Sequence, residues 1–316
     1  MWQSGKVIGS DVDPLKYHLF QPIDDRGNVP KRGDPKFVMS RSELTEFAHC
    51  PARWLAGVED KETDATDWGN LIDCLVLQPH QFEKRYAICP ATYPGQDRKK
   101  QPVDKTWNRG ATYCDDWMSE RESAGIVCLK QDDYQAAKHA ADLLLADKQI
   151  ASLLDGAKRS VMVTADWLDK AKGIVVPFKI LVDIVPTNPT DGFHNTLADL
   201  KTCRSAHPRV WPKEVFAHGY AVQAAAYLDC YEAATHEGRT GWMHVLSENI
   251  PPYQLGRRWL SSEFLEIGRM QYRDALSLYC QCLKTGVWPD YEKLACAKWE
   301  RNGWSATEPE SWMVQQ

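Results

Sequence analysis

The chain has 316 residues, a formal net charge of −5, 43% hydrophobic and 26% charged residues, ordinary values for a globular protein whose core needs neither disulfides nor a structural metal. The acidic balance argues against a protein that coats nucleic acid non-specifically, but not against one that gathers carboxylates around divalent cations and keeps its basic residues for a DNA path. No stretch approaches the roughly 18–20 apolar residues of a membrane span, and the N-terminal MWQSGKVIGSDVDPLK has no apolar run, so the expectation is a cytoplasmic protein without a membrane partner, its ten cysteines reduced and mostly small core hydrophobes.

Residues 1–38 are polar, with Pro14, Pro22, Pro30 and Pro35 and little periodicity, and read as an N-terminal arm or leader. Ser40 to Gly57 reads as a helix capped by Ser40 or Ser42, with Leu44, Phe47, Ala48 and Trp54 on its apolar face. Pro51 should end or kink it. A second helix is expected from about Asp67 to Leu77, closed by Gln78-Pro79. Residues 90–110, rich in Pro, Gly, Lys and Arg, read as a loop. Residues 132–154 predict an amphipathic helix, with Tyr134, Ala137, Ala141, Leu144 and Leu145 on one face. Strand-like runs then occupy Ser160 to Trp167, Ile174 to Val185 and Thr196 to Thr202, split by turn signals at Asp169–Gly173 and Asn188–Gly192, which suggests a meander. A helix from about Glu214 to Ala234, a strand from about Trp242 to Ser247 and a helix from about Ser261 to Leu283 follow. The order predicts one α/β domain over 39–290, a central mixed sheet flanked by helices, with a C-terminal tail at 291–316. The thirteen tryptophans read as core or rim residues.

The residues that carry chemistry lie in the strands. In Leu197-Ala198-Asp199-Leu200-Lys201-Thr202, Asp199 and Lys201 are two apart and project to one side. A metal held by Asp199 could bind a water that Lys201 orients or helps deprotonate. Acidic residues two before a lysine also occur at Glu59-Asp60-Lys61 and Asp97-Arg98-Lys99, but those stretches are polar and read as solvated charges. Inside an apolar strand the charges need a partner or a metal. Asp183 lies in a second apolar run, Phe178 to Val185. Two carboxylates on adjacent strands can share a hard cation, although Asp183 could instead simply pair with Lys179 or Lys201.

The set of Asp183, then Asp199-x-Lys201 after a turn, then Gln223-x-x-x-Tyr227 on a helix, resembles the PD-(D/E)xK nuclease superfamily, and most closely its RecE-type (exonuclease VIII) phage and prophage recombination exonucleases. The resemblance extends over about residues 36–290 through Ser40-x-Ser42-x-Leu44 with Cys50-Pro51, Trp68 to Asp73 with Leu77-Gln78-Pro79, Ser247-Glu248 with Pro251-Pro252-Tyr253, and Gly286-Val287-Trp288-Pro289. It implies a restriction-endonuclease-like core and Mg²⁺ or Mn²⁺, two ions per site, held by Asp183 and Asp199. Lys201 would position the nucleophilic water, and Gln223 and Tyr227 would support the site, unless they form only a polar stripe on a helix rim. Relatives commonly place a histidine where this chain has Asp73. A carboxylate suits Mg²⁺ or Mn²⁺ at least as well, so Asp73 is the third candidate ligand, against the alternative of a helix-surface Asp. Arg53, Ser40 and Ser42 are candidates for a 5′-phosphate pocket, with Arg53 open to the alternative of an ordinary surface arginine. Some superfamily members hold an iron–sulfur cluster, a pattern that Cys50, Cys280, Cys282 and Cys296 mimic. The final spacing lacks the compact triplet, and Cys280 and Cys282 would not share a helix face, so no cluster is expected.

The activity implied is an Mg²⁺-dependent exodeoxyribonuclease that degrades linear double-stranded DNA from the 5′ end and leaves 3′ overhangs for a single-strand annealing protein. The resemblance also implies a homo-oligomeric ring, tetramer before trimer. The alternatives are an endonuclease, a nickase or a single-strand nuclease on the same fold, and a catalytically silent DNA-binding scaffold.

Overall fold

In the computed structural model, which describes residues 1–57, 64–190 and 192–293, the chain opens with β1 (Trp2–Gly9) and α1 (Pro14–Leu19). Four helices follow, α2 (Arg41–His49), α3 (Pro51–Leu55), α4 (Asp64–Leu77) and α5 (Phe82–Arg85), then β2 (Tyr86–Ile88), β3 (Thr92–Gln96) and β4 (Pro102–Thr106). Next come α6 (Thr112–Ser123), β5 (Val127–Leu129), α7 (Gln131–Ala146) and α8 (Lys148–Leu154). The long strands are β6 (Lys158–Asp169), β7 (Ile174–Val185) and β8 (Thr196–Cys203). The remaining elements are α9 (Trp211–Ala217), α10 (Tyr220–Thr235), β9 (Gly241–Glu248), β10 (Leu255–Trp259) and α11 (Ser262–Thr285).

The main sheet has the order β1-β6-β7-β8-β9-β10. The β6–β7–β8 meander is antiparallel, as the alternating runs predict, while β8 and β9 pair in parallel. Parallel neighbours need a crossover, which α9 and α10 supply. The sheet is therefore mixed, and each face has its own core. On one face Val161, Val163, Phe178, Ile180, Val182, Leu197 and Trp242 pack with residues of α2, α3, α9, α10 and α11. On the other, Ile184, Ala198, Leu200, Met243 and Val245 pack with α4, α7 and α8. This is the expected architecture of helices on both sides of a mixed sheet.

Several boundaries differ from the sequence reading, each for a local reason. The expected helix at 40–57 divides at Cys50, where Pro51 starts α3. The expected helix at 132–154 divides at Asp147, whose carboxylate caps α8 by accepting from the amides of Gln149 and Ile150. The expected helix at 214–234 divides at Gly219, with φ of 63°. Residues 90–110, expected as a loop, contain the β3–β4 hairpin. The N-terminal segment, expected as an arm, is bound into the fold. Strand β1 pairs with β6, and Trp2 Nε1 donates to the Tyr272 hydroxyl at 3.0 Å. Buried Lys179 ties down α1 by donating to the carbonyls of Tyr17, His18 and Phe20 at 2.8, 2.9 and 2.9 Å. An edge strand that is half exposed carries little periodicity of its own, and its partners lie far away in sequence. Glu59-Asp60-Lys61 and Cys296 lie outside the described residues, whereas Cys50, Cys280 and Cys282 are buried. No helix among the described residues is long and apolar enough to cross a membrane.

Helices α10 and α11 cross at Gly268, where an added Cβ would overlap the backbone carbonyl of Ala221. Neither backbone can retreat without moving a buried helix. Substituting Gly268→Val should therefore destabilise the protein by about 3 kcal/mol in a urea titration. An unchanged midpoint would contradict this crossing.

Candidate active site

Strand alternation aims the central pair. Leu197 joins the α10-side core, whereas Ala198 and Leu200 enter the opposite one, so Asp199 and Lys201 point toward α10. Asp199 is only 1% exposed. Its Oδ1 accepts from Gln223 Nε2 at 2.7 Å, and its Oδ2 lies 2.5 Å from Lys201 Nζ. That second contact is an ion pair rather than an aligned hydrogen bond, for Oδ2 has no donor in hydrogen-bonding geometry.

Asp183 comes from the neighbouring strand. The β7–β8 ladder consists of one residue pair, Ile184 with Ala198, which places Asp183 opposite Asp199. Its Oδ2 accepts from the Leu200 amide at 3.0 Å, standing where a strand carbonyl would otherwise bond. It pairs with neither lysine by direct contact, since Lys179 is spent on α1. The third carboxylate comes from α4. That helix approaches β8 so closely that a Cβ on Gly69 would lie 3.2 Å from Thr202 Oγ1. Asp73, one turn further along, is near enough for Lys201 and Asp199 to act on it electrostatically. Asp73 is half-buried on α4.

The electrostatics follow from three carboxylates facing one lysine. Burial pushes the Asp73 carboxyl up to about 7, with Lys201 pulling it back and Asp199 pushing it further. Burial and then the charge of Asp199 hold Asp183 well above the usual carboxylate range. Burial disfavours the Lys201 ammonium, but Asp199 and Asp183 outweigh it and hold the lysine above its ordinary value. The crowding of three carboxyl groups around one ammonium makes the place receptive to a further cation, which would favour their ionised forms. Among the described residues, no three His, Cys, Asp or Glu side chains are gathered closely enough to hold a metal ion as they stand. The donor chemistry nonetheless fits a hard divalent ion: carboxylates from α4, β7 and β8, and an Asp199 Oδ2 with no aligned donor.

Gln223 is the side chain that fixes Asp199. Its Oε1 in turn accepts from Arg41 Nη2 at 3.3 Å. Replacing Gln223→Leu should leave Asp199 Oδ1 buried and unsatisfied, at a cost of about 1–3 kcal/mol. The thermal midpoint of the metal-free variant should fall accordingly, and retention of the wild-type midpoint would contradict the bond. Tyr227, one turn along α10, is buried with its ring edge-on to Trp242 at 5.7 Å. Burial raises the pKa of its hydroxyl above the ordinary value, and it borders the centre electrostatically rather than by a direct bond to Asp199.

Of the three phosphate-pocket candidates, Ser40 is buried and serves as the N-cap of α2, which uses its oxygen. Ser42 and Arg53 are exposed on α2 and α3. The residue of this segment that reaches the centre is Arg41, which also lies over the Tyr220 ring at 6.0 Å. Arg41 sits between two singled-out serines, and only its helical phase distinguishes it. Sequence reasoning also passed over His244. On β9 it is the register partner of Asp199. Trp242 Nε1 donates to its Nε2 at 3.0 Å, so the neutral ring carries its proton on Nδ1, which has no partner. Burial drives its pKa down to about 4. The signal was available, since His244 is a polar residue inside an apolar strand, as Asp199 is.

Comparison with known proteins agrees with this fold. Among solved structures, a crystal structure described as a "Putative exonuclease" from Eubacterium rectale matches with a TM-score of 0.54 at 15% sequence identity, covering 93% of this chain and 98% of that one. At that identity the likeness is one of fold. No curated protein matches the chain. Residues 40–300 match the family described as a PDDEXK-like domain of unknown function (DUF3799). Because that match takes in far more than half of the sequence, the chain belongs to this PDDEXK-like family.

Proposed function

We propose that the protein is a divalent-metal-dependent DNA nuclease, specifically an exodeoxyribonuclease that digests linear duplex from the 5′ end. The observation that carries this reading is the convergence of half-buried Asp73 and Asp183 and buried Asp199 on Lys201, in a chain of PDDEXK-like family. The description of the structural relative agrees with it.

In this reading the three aspartates hold Mg²⁺ or Mn²⁺, two ions per site. Bound there, such ions would lower the pKa of a coordinated water and stabilise charge on the phosphoryl oxygens. Gln223 holds Asp199 by Oδ1 and so leaves Oδ2 facing the site. Lys201 leaves Oδ2 to orient the attacking water and carry its proton. Arg41 takes the phosphate role for which Ser40, Ser42 and Arg53 were candidates, since a guanidinium can fork onto two phosphate oxygens. Tyr227 backs the cluster from its second turn of helix.

The 5′ polarity, the 3′ overhang, an annealing-protein partner and a ring-shaped tetramer or trimer rest on the RecE-type resemblance. Incubating linear duplex, closed circular duplex and single-stranded DNA with Mg²⁺ tests the substrate class. Digestion of the linear duplex alone, with loss of a 5′ label as mononucleotide, is the expected result. Cutting of closed circles would overturn the exonuclease assignment and favour an endonuclease.

A further inference from the structure

The β3–β4 hairpin stands apart from both cores. Residues 96–106 are exposed throughout, on both faces of the ribbon. A two-stranded hairpin is marginal on its own, and this one is held at its base. Tyr93 stacks on Tyr113 of α6, with ring centroids 6.1 Å apart, and Trp107 meets Trp117 of α6 edge-on at 5.2 Å.

The tip is basic, and its turn is closed by hydrogen bonds. Asp97 Oδ1 accepts from the amides of Lys99 and Gln101 at 2.7 and 2.9 Å, so the one acidic group at the turn is engaged with backbone. Lys100 takes the left-handed conformation, with φ of 60°. Arg98, Lys99 and Lys100 follow one another here, and Lys105 stands on β4. Among the described residues none of these four forms an ion pair with a carboxylate, unlike Arg109 at the base, which lies 3.9 Å from Glu122. Residues 82–110 hold seven Lys and Arg against three Asp and Glu, in a chain whose formal charge is −5. An acidic protein that concentrates unpaired cations on a projecting ribbon presents a surface suited to a polyanion.

The hairpin's anchor also borders the helix that carries Asp73. A cavity of about 410 Å³ is lined by Asp67 and Asn70 of α4, by Lys84 and Arg85, and by Ala124 and Gly125 just after α6. The helix that anchors the ribbon thus ends at a cavity shared with α4 and with two further cations, Lys84 and Arg85.

We propose that the β3–β4 hairpin is a DNA-gripping arm, on which Arg98, Lys99 and Lys100 contact backbone phosphates of duplex DNA outside the catalytic centre. The proposal rests on the nuclease reading, and deepens it by assigning affinity to the arm and chemistry to the aspartates and Lys201. The arm reads no sequence, because phosphate contacts position a duplex without identifying its bases.

The test is a triple variant, Arg98→Gln, Lys99→Gln and Lys100→Asn, the last chosen because Asn tolerates the left-handed conformation. Binding of a fluorescent blunt duplex is followed by anisotropy across a salt series, with Ca²⁺ in place of Mg²⁺, and cleavage is measured separately with Mg²⁺ at saturating DNA. Each lost phosphate contact should reduce the slope of log affinity against log salt by about 0.9, hence about 2.7 for three. Affinity at low salt should fall at least about tenfold, with kcat unchanged. A Lys99→Arg variant should keep the wild-type slope. A triple variant with wild-type slope and affinity, alongside a wild type that binds and cleaves, overturns the arm but leaves the nuclease reading intact. A wild type that neither binds nor cleaves duplex overturns both.

Discussion

Replacing Lys201 with methionine is expected to lower Mg²⁺-dependent cleavage of duplex DNA by about 10³-fold without weakening DNA binding. Methionine keeps the length and packing of the side chain while removing its charge and its donors. In the wild type the ammonium lies 2.5 Å from Asp199 Oδ2 and is the cation on which Asp73, Asp183 and Asp199 all act. Its loss removes the group that orients the water, yet touches no surface that grips DNA. It also removes the cation that contacts Asp199 and acts on Asp73 and Asp183, so the metal-free variant should melt earlier than wild type and recover part of the difference when Mg²⁺ is added. Single-turnover cleavage and anisotropy on the same duplex separate the two effects. A variant that cleaves at the wild-type rate would remove Lys201 from the chemistry.

Asp73→Asn should have the opposite effect on stability while also abolishing cleavage. The folded-state pKa of Asp73 is raised to about 7 from an ordinary 3.8. Between those values the folded chain binds more protons than the unfolded chain, so the group's contribution to stability is full below about pH 4 and is lost as pH rises through about 7. Above that, the ionised carboxylate is a net cost. At 1.36 kcal/mol per unit, the cost has an upper bound of about 4 kcal/mol. Asparagine removes it. In EDTA at pH 8 the variant should therefore melt above wild type, whereas at pH 4 the two should coincide. Mg²⁺ should raise the wild-type midpoint far more than the variant's, because a ligand that binds the native state stabilises it in proportion to its affinity. Equal midpoints at pH 8, with equal responses to Mg²⁺, would show that Asp73 neither bears this charge conflict nor takes part in metal binding.

The parts of the fold that were legible in the sequence are those fixed by local pattern. The β6–β7–β8 meander follows from β-branched alternation and turn residues, and Asp183 and Asp199 stood out because charges in apolar strands need a reason. Gln223 entered through the resemblance to PD-(D/E)xK nucleases, and it does meet Asp199. The illegible parts depend on contacts distant in sequence. Strand β1 is specified by its pairing with β6 and by Tyr272, and nothing in residues 1–9 announces those partners. The hairpin at 92–106 has charged, exposed strands, so it lacks the apolar alternation that marks a half-buried strand. Asp97-Arg98-Lys99 reads as solvated charge, and solvated it is; what its neighbours could not reveal is that these cations sit together at the hydrogen-bonded turn of a hairpin. Arg41 and His244 needed the fold to bring α2 and β9 against β8.

The most direct test of the central claim is digestion of a linear duplex, labelled at its 5′ ends, with Mg²⁺ and with EDTA, using wild type beside an Asp199→Asn variant. A carboxylate centre that works through a bound divalent cation predicts release of the label by wild type in Mg²⁺ only, and by the variant in neither. Cleavage by wild type in EDTA, or by the variant at the wild-type rate, would contradict it.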